Sequence, residues 1–280
     1  MHRFTTTTPP RLTVEFRAGT VSIDTEDVEE TTVELRGRPD DQATQALIAD
    51  TVVEQRGDDV VVLVPKRSHG LFGSTPELRV DITAPHGSRL NVKSASADLS
   101  ARGTYGESRV ASGSGDISVE RVTGSAHVRS GSGDVNLGAA GADLTVGTGS
   151  GDIHVGIADA AVSVQSGSGD VVIESVAGAL RAQTGSGDIE VRRADDDVKA
   201  QTGSGDVAVR RVVRGRIRAK AASGDLHVGV ADGIPAWLDV KTLTGGVSND
   251  LAATEPVGAE QEHVRLELNT VSGDIDIVRA

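Results

Sequence analysis

A Gly-Ser-Gly-Asp phrase recurs through the second half of this sequence, and each copy offers a hydroxyl and a carboxylate that could take part in chemistry. Its first complete copy ends at Asp116, and the aspartate then returns every eighteen residues as far as Asp206. A column of carboxylates is a candidate cation site, because calcium binds carboxylate and carbonyl oxygens. With one looser copy at each end, the column comprises Asp98, Asp116, Asp134, Asp152, Asp170, Asp188, Asp206 and Asp225.

The local spacing favours a structural role for these aspartates over a catalytic or metal-binding one. Calcium-binding β-rolls use Gly-Gly-x-Gly-x-Asp, whereas here the aspartate follows glycine directly. The serine recurs with no histidine base beside it, unlike a hydrolase nucleophile, and no helix follows the glycines, unlike a dinucleotide fingerprint. We therefore predict a ladder of turns in which each aspartate caps backbone N–H groups of its own turn, assisted by the serine of the phrase, with no catalytic, cofactor or metal residue. A calcium-binding β-roll stays open as an alternative.

The residues around each aspartate predict two short strands per eighteen-residue repeat. The first and third residues after it are apolar, as in Ile117 and Val119, while the residue between them varies. The positions six and eight before it are also mostly apolar, as in Val146 and Leu144. Because neither strand can bury its face alone, equivalent strands of successive repeats must stack in parallel, about 4.8 Å apart. The predicted fold is an all-β, parallel β-solenoid with a narrow aliphatic core.

The regions outside the repeat predict an irregular cap and a closing coil. We assign residues 1–85 to an N-terminal β cap continuous with the solenoid of residues 86–280. The cap is expected to contain a short helix over 40–50, begun by Asp40 or Asp41, and a hairpin around Gly57. Residues 67–76 are expected to form a loop with Phe72 packed beneath it. The phrase at 272–275 is expected to close the array.

The chain resembles the bacterial putative-adhesin family of β-strand-repeat proteins, a toast-rack-like domain of unknown function. The resemblance is carried by the Gly-Ser-Gly-Asp phrases between residues 112 and 207, by Val-Asp-Ile-Thr-Ala-Pro at 80–85 and by Ser-Gly-Asp-Ile at 272–275. It covers residues 10–280. The resemblance implies an adhesive role.

Composition and charge limit the partners and the compartment. The formal net charge of −13 disfavours general binding to nucleic acid or to anionic membranes, and the absence of cysteine excludes disulfides and thiolate metal sites. The N-terminus lacks an apolar signal core, and no window is long and apolar enough to span a bilayer. We therefore expect a cytoplasmic protein with no cofactor.

One basic cluster interrupts this acidic background. The cluster comprises Arg181, Arg192, Arg193, Lys199, Arg210, Arg211, Arg214, Arg216, Arg218 and Lys220. Within it, two pairs of adjacent arginines fall in one column of neighbouring repeats. The candidate partner-binding patch is Arg192, Arg193, Arg210, Arg211, Arg214 and Arg216. The predicted function is a non-enzymatic, adhesin-like scaffold that presents a rigid surface to a protein or glycan, with self-association possible through the solenoid ends. A β-helix enzyme acting on carbohydrate is the second hypothesis.

Overall fold

The computed structural model describes residues 1–65, 78–251 and 263–280, and the loop and Phe72 contact predicted at 67–76 lie outside them. The described residues form 25 β-strands and one α-helix, which confirms the all-β prediction. They divide into two compact units, unit 1 (Met1–Gly141) and unit 2 (Ala142–Ala280). No helix among the described residues has the length and apolar character needed to cross a membrane.

Unit 1 contains eleven strands and the helix. They are β1 (His2–Thr5), β2 (Arg11–Glu26), β3 (Glu30–Arg36), α1 (Gln42–Asp50), β4 (Val52–Arg56), β5 (Asp59–Leu63), β6 (Arg79–Pro85), β7 (Arg89–Tyr105), β8 (Ser108–Ser112), β9 (Ile117–Val122), β10 (Ala126–Ser130) and β11 (Val135–Ala140). The Asp41 side chain caps α1 by accepting from the N–H of Ala43, and β4 and β5 form the hairpin around Gly57. Both features were predicted from the sequence.

The coils of unit 1 do not stack in the order of the chain. Each of β2 and β7 supplies both strand segments of one coil, and the two pair in parallel along nearly their whole length. On its other edge, β2 pairs in parallel with β5 and β6, which come later in the sequence. The antiparallel strands β4 and β3 then flank β5 and β6, and β1 flanks β3. This arrangement is the irregular β cap, and β7 continues in parallel into β8 and β9, then β10 and β11.

Unit 2 is the more regular array. Its strands are β12 (Leu144–Thr148), β13 (Ile153–Ala158), β14 (Val162–Ser168), β15 (Val171–Val176), β16 (Leu180–Ser186), β17 (Ile189–Ala194), β18 (Val198–Ser204), β19 (Val207–Val212), β20 (Gly215–Ser223), β21 (Leu226–Val230), β22 (Ala236–Thr244), β23 (Val247–Asn249), β24 (Val264–Ser272) and β25 (Ile275–Arg279). The even-numbered strands pair in parallel with one another, and we call this row of strands the first ladder. The odd-numbered strands pair in the same way and form the second ladder. Inward side chains such as Val164 and Ile173 are fully buried, as the alternation predicts.

The final coils of unit 2 correct the prediction that residues 272–275 close the array. Strand β24 pairs with β20 on one edge and with β22 on the other, and β25 lies in the same way between β21 and β23. The coil at 264–279 is therefore internal, and the coil at 236–249 is terminal.

Candidate functional site

The aspartate ladder is a chain of hydrogen bonds between coils rather than a set of closed turns. In unit 1, Asp98 Oδ1 accepts the backbone N–H of Asp116 at 3.1 Å, and Asp116 accepts that of Asp134 at 2.9 Å. In unit 2, the bonds from Asp170, Asp188, Asp206, Asp225 and Asp274 to the preceding carboxylates are 2.7–2.8 Å long. The last carboxylate, that of Asp274, accepts the N–H of Gly246 at 2.7 Å in the terminal coil. Each carboxylate thus fixes the position of the next coil.

The hydroxyl that assists each turn is not the serine of the phrase but the residue three positions before the second glycine. In unit 1, Ser130 Oγ accepts the N–H of Gly133 at 2.8 Å. In unit 2, Thr184 and Thr202 donate to the carbonyls of Gly169 and Gly187 at 3.2 and 3.0 Å. These residues are buried, and their hydroxyls pair with backbone groups of the turns.

The described residues contain no group of three or more His, Cys, Asp or Glu side chains that could hold a metal ion. The ladder carboxylates stand one per coil, and each uses one oxygen for a backbone N–H. The geometry is therefore that of a structural ladder, and the chemistry must be sought on the outer faces.

The arginines of the predicted patch do not all lie on one ladder, and each already contacts another group of the chain. Arg192 and Arg210 lie on the second ladder and contact Glu174 and Glu190 at 2.7 and 3.2 Å. Arg193 pairs with Asp195 at 2.9 Å. Since these contacts neutralise most of their charge locally, the positive potential of this group is weaker than the sequence suggests.

The remaining three arginines of the prediction are engaged as well. Arg211 donates to the carbonyl of Ala280 at 2.6 Å, and Arg214 donates to the carbonyl of Asp195 at 2.7 Å. Arg216 lies on the first ladder, away from Arg192 and Arg210 in register, and contacts Glu267 at 3.4 Å. Partner binding by this patch stays a prediction.

A second group of cations lies on the outer face of the first ladder. The strand register places Arg181, Lys199 and Arg218 side by side on β16, β18 and β20, in one outward row. Lys220 stands two residues along β20 from Arg218 and is also exposed. We call these four residues the cationic row. Within the part of unit 2 that the structure describes, Arg181, Lys199 and Lys220 have no carboxylate within ion-pair distance.

A row of glutamines runs beside the cationic row. Gln165 donates to Gln183 at 3.3 Å, and Gln183 donates to Gln201 at 2.8 Å. Gln201 is in register with Lys220. Arg181 in turn donates to Gln183 Oε1 at 3.1 Å, so the amides orient the guanidinium without cancelling its charge. The face therefore combines free positive charges with hydrogen-bonding amides.

The insertion of β24 builds a further cluster at the end of this face. Glu267 contacts Arg218 at 2.6 Å and Arg216 at 3.4 Å, and it also lies 3.1 Å from Arg265 Nε. The hydrogen bond from Arg218, followed by the charges of the three guanidiniums, lowers the pKa of Glu267. The Arg265 guanidinium also lies over the Trp237 ring, 4.0 Å from its centroid.

The basic cluster of the sequence includes Arg181, Lys199, Arg218 and Lys220, but the predicted patch was not separated from them. The signal was available, because these four residues precede the ladder aspartate and lie one residue from the inward positions, on the outward face, whereas Arg192 and Arg210 follow the aspartate. The contact between Trp237 and Arg265 could not be found in this way, because it depends on the order of the last two coils.

Three comparisons place the chain among known proteins. A model of the Toastrack DUF4097 family matches residues 11–277. The crystal structure of a putative adhesin from Bacteroides fragilis NCTC 9343 aligns with a TM-score of 0.41 at 14% identity, covering 100% of this chain and 95% of that one. The structure of a putative cell adhesion protein from Clostridium sporogenes ATCC 15579 aligns with a TM-score of 0.21 at 9% identity, covering 97% and 93%. No curated protein matches the sequence.

Proposed function

The chain belongs to the Toastrack DUF4097 family, and we propose that it is a non-catalytic, adhesin-like scaffold whose cationic row binds an elongated anionic glycan. The observation that carries this proposal is the set of unneutralised cations Arg181, Lys199 and Lys220 on one face of a chain with a net charge of −13. Cations left without partners against such a background favour an external anion.

The spacing of the row supports a linear ligand. Arg181, Lys199 and Arg218 stand one strand apart, about 4.8 Å, and Lys220 lies two residues further along β20, so several negative charges along an extended chain can be met in succession. The adjacent glutamine amides can donate to and accept from sugar hydroxyls. Because β-strand pairing already fixes the backbone of the row, little backbone conformational entropy is lost when the ligand binds.

The same face favours binding over catalysis. Cleavage of a glycosidic bond uses a pair of carboxyl groups as acid and base or nucleophile. The cationic row and its neighbours are cations and amides, and the carboxylate at the end of this face, Glu267, is held by Arg216, Arg218 and Arg265. These groups can bind and orient an anion, but they do not form the pair of carboxyl groups that glycosidic hydrolysis uses.

Calorimetric titration of the whole chain with a linear polyuronate, and with neutral dextran for comparison, tests the proposal. We expect binding of the polyuronate only, weakening as salt is added. The triple variant Arg181→Gln, Lys199→Gln, Lys220→Gln should lose about tenfold or more in affinity. The matched control Arg192→Gln, Arg193→Gln, Arg210→Gln removes the same charge from the second ladder and should bind as the unmodified chain does.

Two outcomes would contradict the proposal. Equal heats of binding for polyuronate and dextran would show that the site does not select an anionic ligand. A loss of affinity in the control variant and none in the first variant would move the site to the patch of Arg192, Arg193 and Arg210.

A further inference from the structure

The terminal coil of unit 2 leaves part of the aliphatic core open. Leu238 on β22 is only half-buried, although Leu266, its neighbour in register on β24, is fully buried. Val247 on β23 is 53% exposed, whereas its neighbour Ile275 is buried. Leu238, Val240 and Val247 are apolar residues at inward positions of this coil, yet no described residue stacks on their outer side.

The outer edge of β22 also carries backbone groups without strand partners. Among the described strands, β22 pairs with β24 alone. The N–H of Val264 donates to the carbonyl of Pro235, which fixes the odd-numbered residues of β22 as those that face β24. The N–H and C=O groups of Leu238, Val240 and Thr242 therefore point to the free edge, where a further strand can pair with them.

The outward side chains of β22 are arranged so that the sequence pairs with a reversed copy of itself, acid against base and apolar against apolar. Asp239 and Lys241 stand on either side of Val240, and Trp237 and Leu243 stand one step further out. Trp237 is 47% exposed and Leu243 is 79% exposed, which is unusual for side chains of this size. An antiparallel strand centred on Val240 brings each of these residues opposite its complement.

We propose that β22 pairs antiparallel with β22 of a second copy of this chain, about a two-fold axis at Val240, so that the terminal coils cover each other. In this register Asp239 lies opposite Lys241 of the partner subunit, and Trp237 lies opposite Leu243 of the partner subunit. The two-fold axis repeats both pairs. The backbone groups of Leu238, Val240 and Thr242 gain partners, as in any isologous strand pairing.

The charges select this register over its alternatives. A parallel, in-register pairing places Asp239 opposite Asp239 and Lys241 opposite Lys241, and like charges directly opposite are destabilising. Antiparallel registers centred on Asp239 or on Lys241 also bring one like pair together. Of these registers, only the one centred on Val240 places both Asp239 and Lys241 opposite a residue of opposite charge.

Sedimentation velocity of the 280-residue chain over a concentration series tests the pairing. We expect a reversible dimer for the unmodified chain. Lys241→Glu places two acidic residues opposite each other at both pairs and should raise the dimer dissociation constant about tenfold or more. The matched control Lys220→Glu changes the same outward column on the internal strand β20 and should leave the dissociation constant unchanged.

Two further samples test the register itself. The double variant Asp239→Lys, Lys241→Asp exchanges the charges and should dimerise as the unmodified chain does. Lys241→Glu mixed with Asp239→Lys should form a heterodimer, although each alone is mainly monomeric. A monomeric unmodified chain, a dimer insensitive to Lys241→Glu, or a charge exchange that abolishes dimerisation would each overturn the proposal.

Discussion

The glycine before each ladder aspartate in unit 2 is fixed by contact with the neighbouring coil. A Cβ built on Gly187 would lie 2.2 Å from the carbonyl oxygen of Gly169, and the φ of Gly187 is +151°. Both features exclude a side chain, since the backbone of the adjacent coil cannot withdraw without breaking its strand pairing. The glycine of the repeated phrase is therefore a requirement of coil spacing, and the phrase has a structural role.

Replacing Gly187 with alanine tests this contact. We expect Gly187→Ala to lower the free energy of unfolding by at least 1–3 kcal/mol, roughly the cost of one strained backbone position. The exposed neighbouring variant Ser186→Ala should change it by no more than about 0.5 kcal/mol. Urea unfolding followed by circular dichroism measures both, and equal effects of the two variants would contradict the close-approach argument.

Glu267 offers a second test at the scale of single residues. Its pKa is lowered from the ordinary value of 4.5 by the hydrogen bond from Arg218 and by the charges of Arg218, Arg216 and Arg265. Because the folded-state pKa lies below the unfolded one, this carboxylate stabilises the fold above its unfolded-state pKa. That contribution is lost as pH falls through the folded-state value.

A carbon-detected NMR titration of the Glu267 side chain measures this pKa directly. We expect a value below 4.5 in the unmodified chain, and a rise toward 4.5 in Arg218→Gln because the principal hydrogen bond is removed. The control Arg192→Gln removes an arginine that does not contact Glu267 and should leave the titration unchanged. An ordinary pKa in the unmodified chain would show that the three guanidiniums do not converge on this carboxylate.

At the scale of elements, the regular coils were predictable and the order of the last two was not. The columns of Val, Ile and Leu around each aspartate specify two inward strands, and the parallel pairing of β14 to β20 follows from them. Both candidate terminal coils fit the same pattern, however, because each has alternating apolar residues and a glycine turn. Pattern alone therefore allows either to pack on β20 and β21.

The residues that decide the order are the ones that depart from the pattern. Asn249 occupies an inward position in register with Ile277, so the coil at 236–249 would bury an amide if it were internal. Gly246 stands where other coils have the aspartate, so this coil has no carboxylate to accept an N–H from a following coil. The less apolar coil, without a ladder aspartate, is the one that ends the stack.

A pair of leucines in the same column tests the order. Leu266 on β24 is fully buried, so Leu266→Ala should cost about 2–5 kcal/mol of unfolding free energy. Leu238 on β22 lies next to it in register but is half-exposed, so Leu238→Ala should cost clearly less. If the coils stacked in chain order, the two costs would be reversed, and chemical denaturation of both variants distinguishes the two cases.

At the scale of the whole molecule, carboxylates that bond to backbone are distinct from cations that lack an ion-pair partner. The acidic excess of −13 includes a ladder whose carboxylates accept backbone N–H groups, whereas Arg181, Lys199 and Lys220 have no carboxylate partner among the described residues. Composition gives the acidic excess, but not which charges are neutralised, because that depends on contacts between coils. The basic residues most prominent in the sequence, Arg192 and Arg210, are among those already paired.

The use of the ladder carboxylates as acceptors for backbone N–H groups predicts that calcium does not stabilise the chain. A calcium site takes six to eight oxygens, whereas each ladder carboxylate commits one oxygen to the N–H of the next coil and has no described group of three acidic or histidine side chains around it. An ion bound to the folded state would raise the unfolding temperature, and the rise would grow with the ion concentration relative to its dissociation constant. We therefore expect the thermal unfolding curves of the full chain to coincide in calcium and in excess chelator. A midpoint that rises with calcium concentration would show that the free oxygens of successive aspartates act together as ligands, and would restore the β-roll alternative.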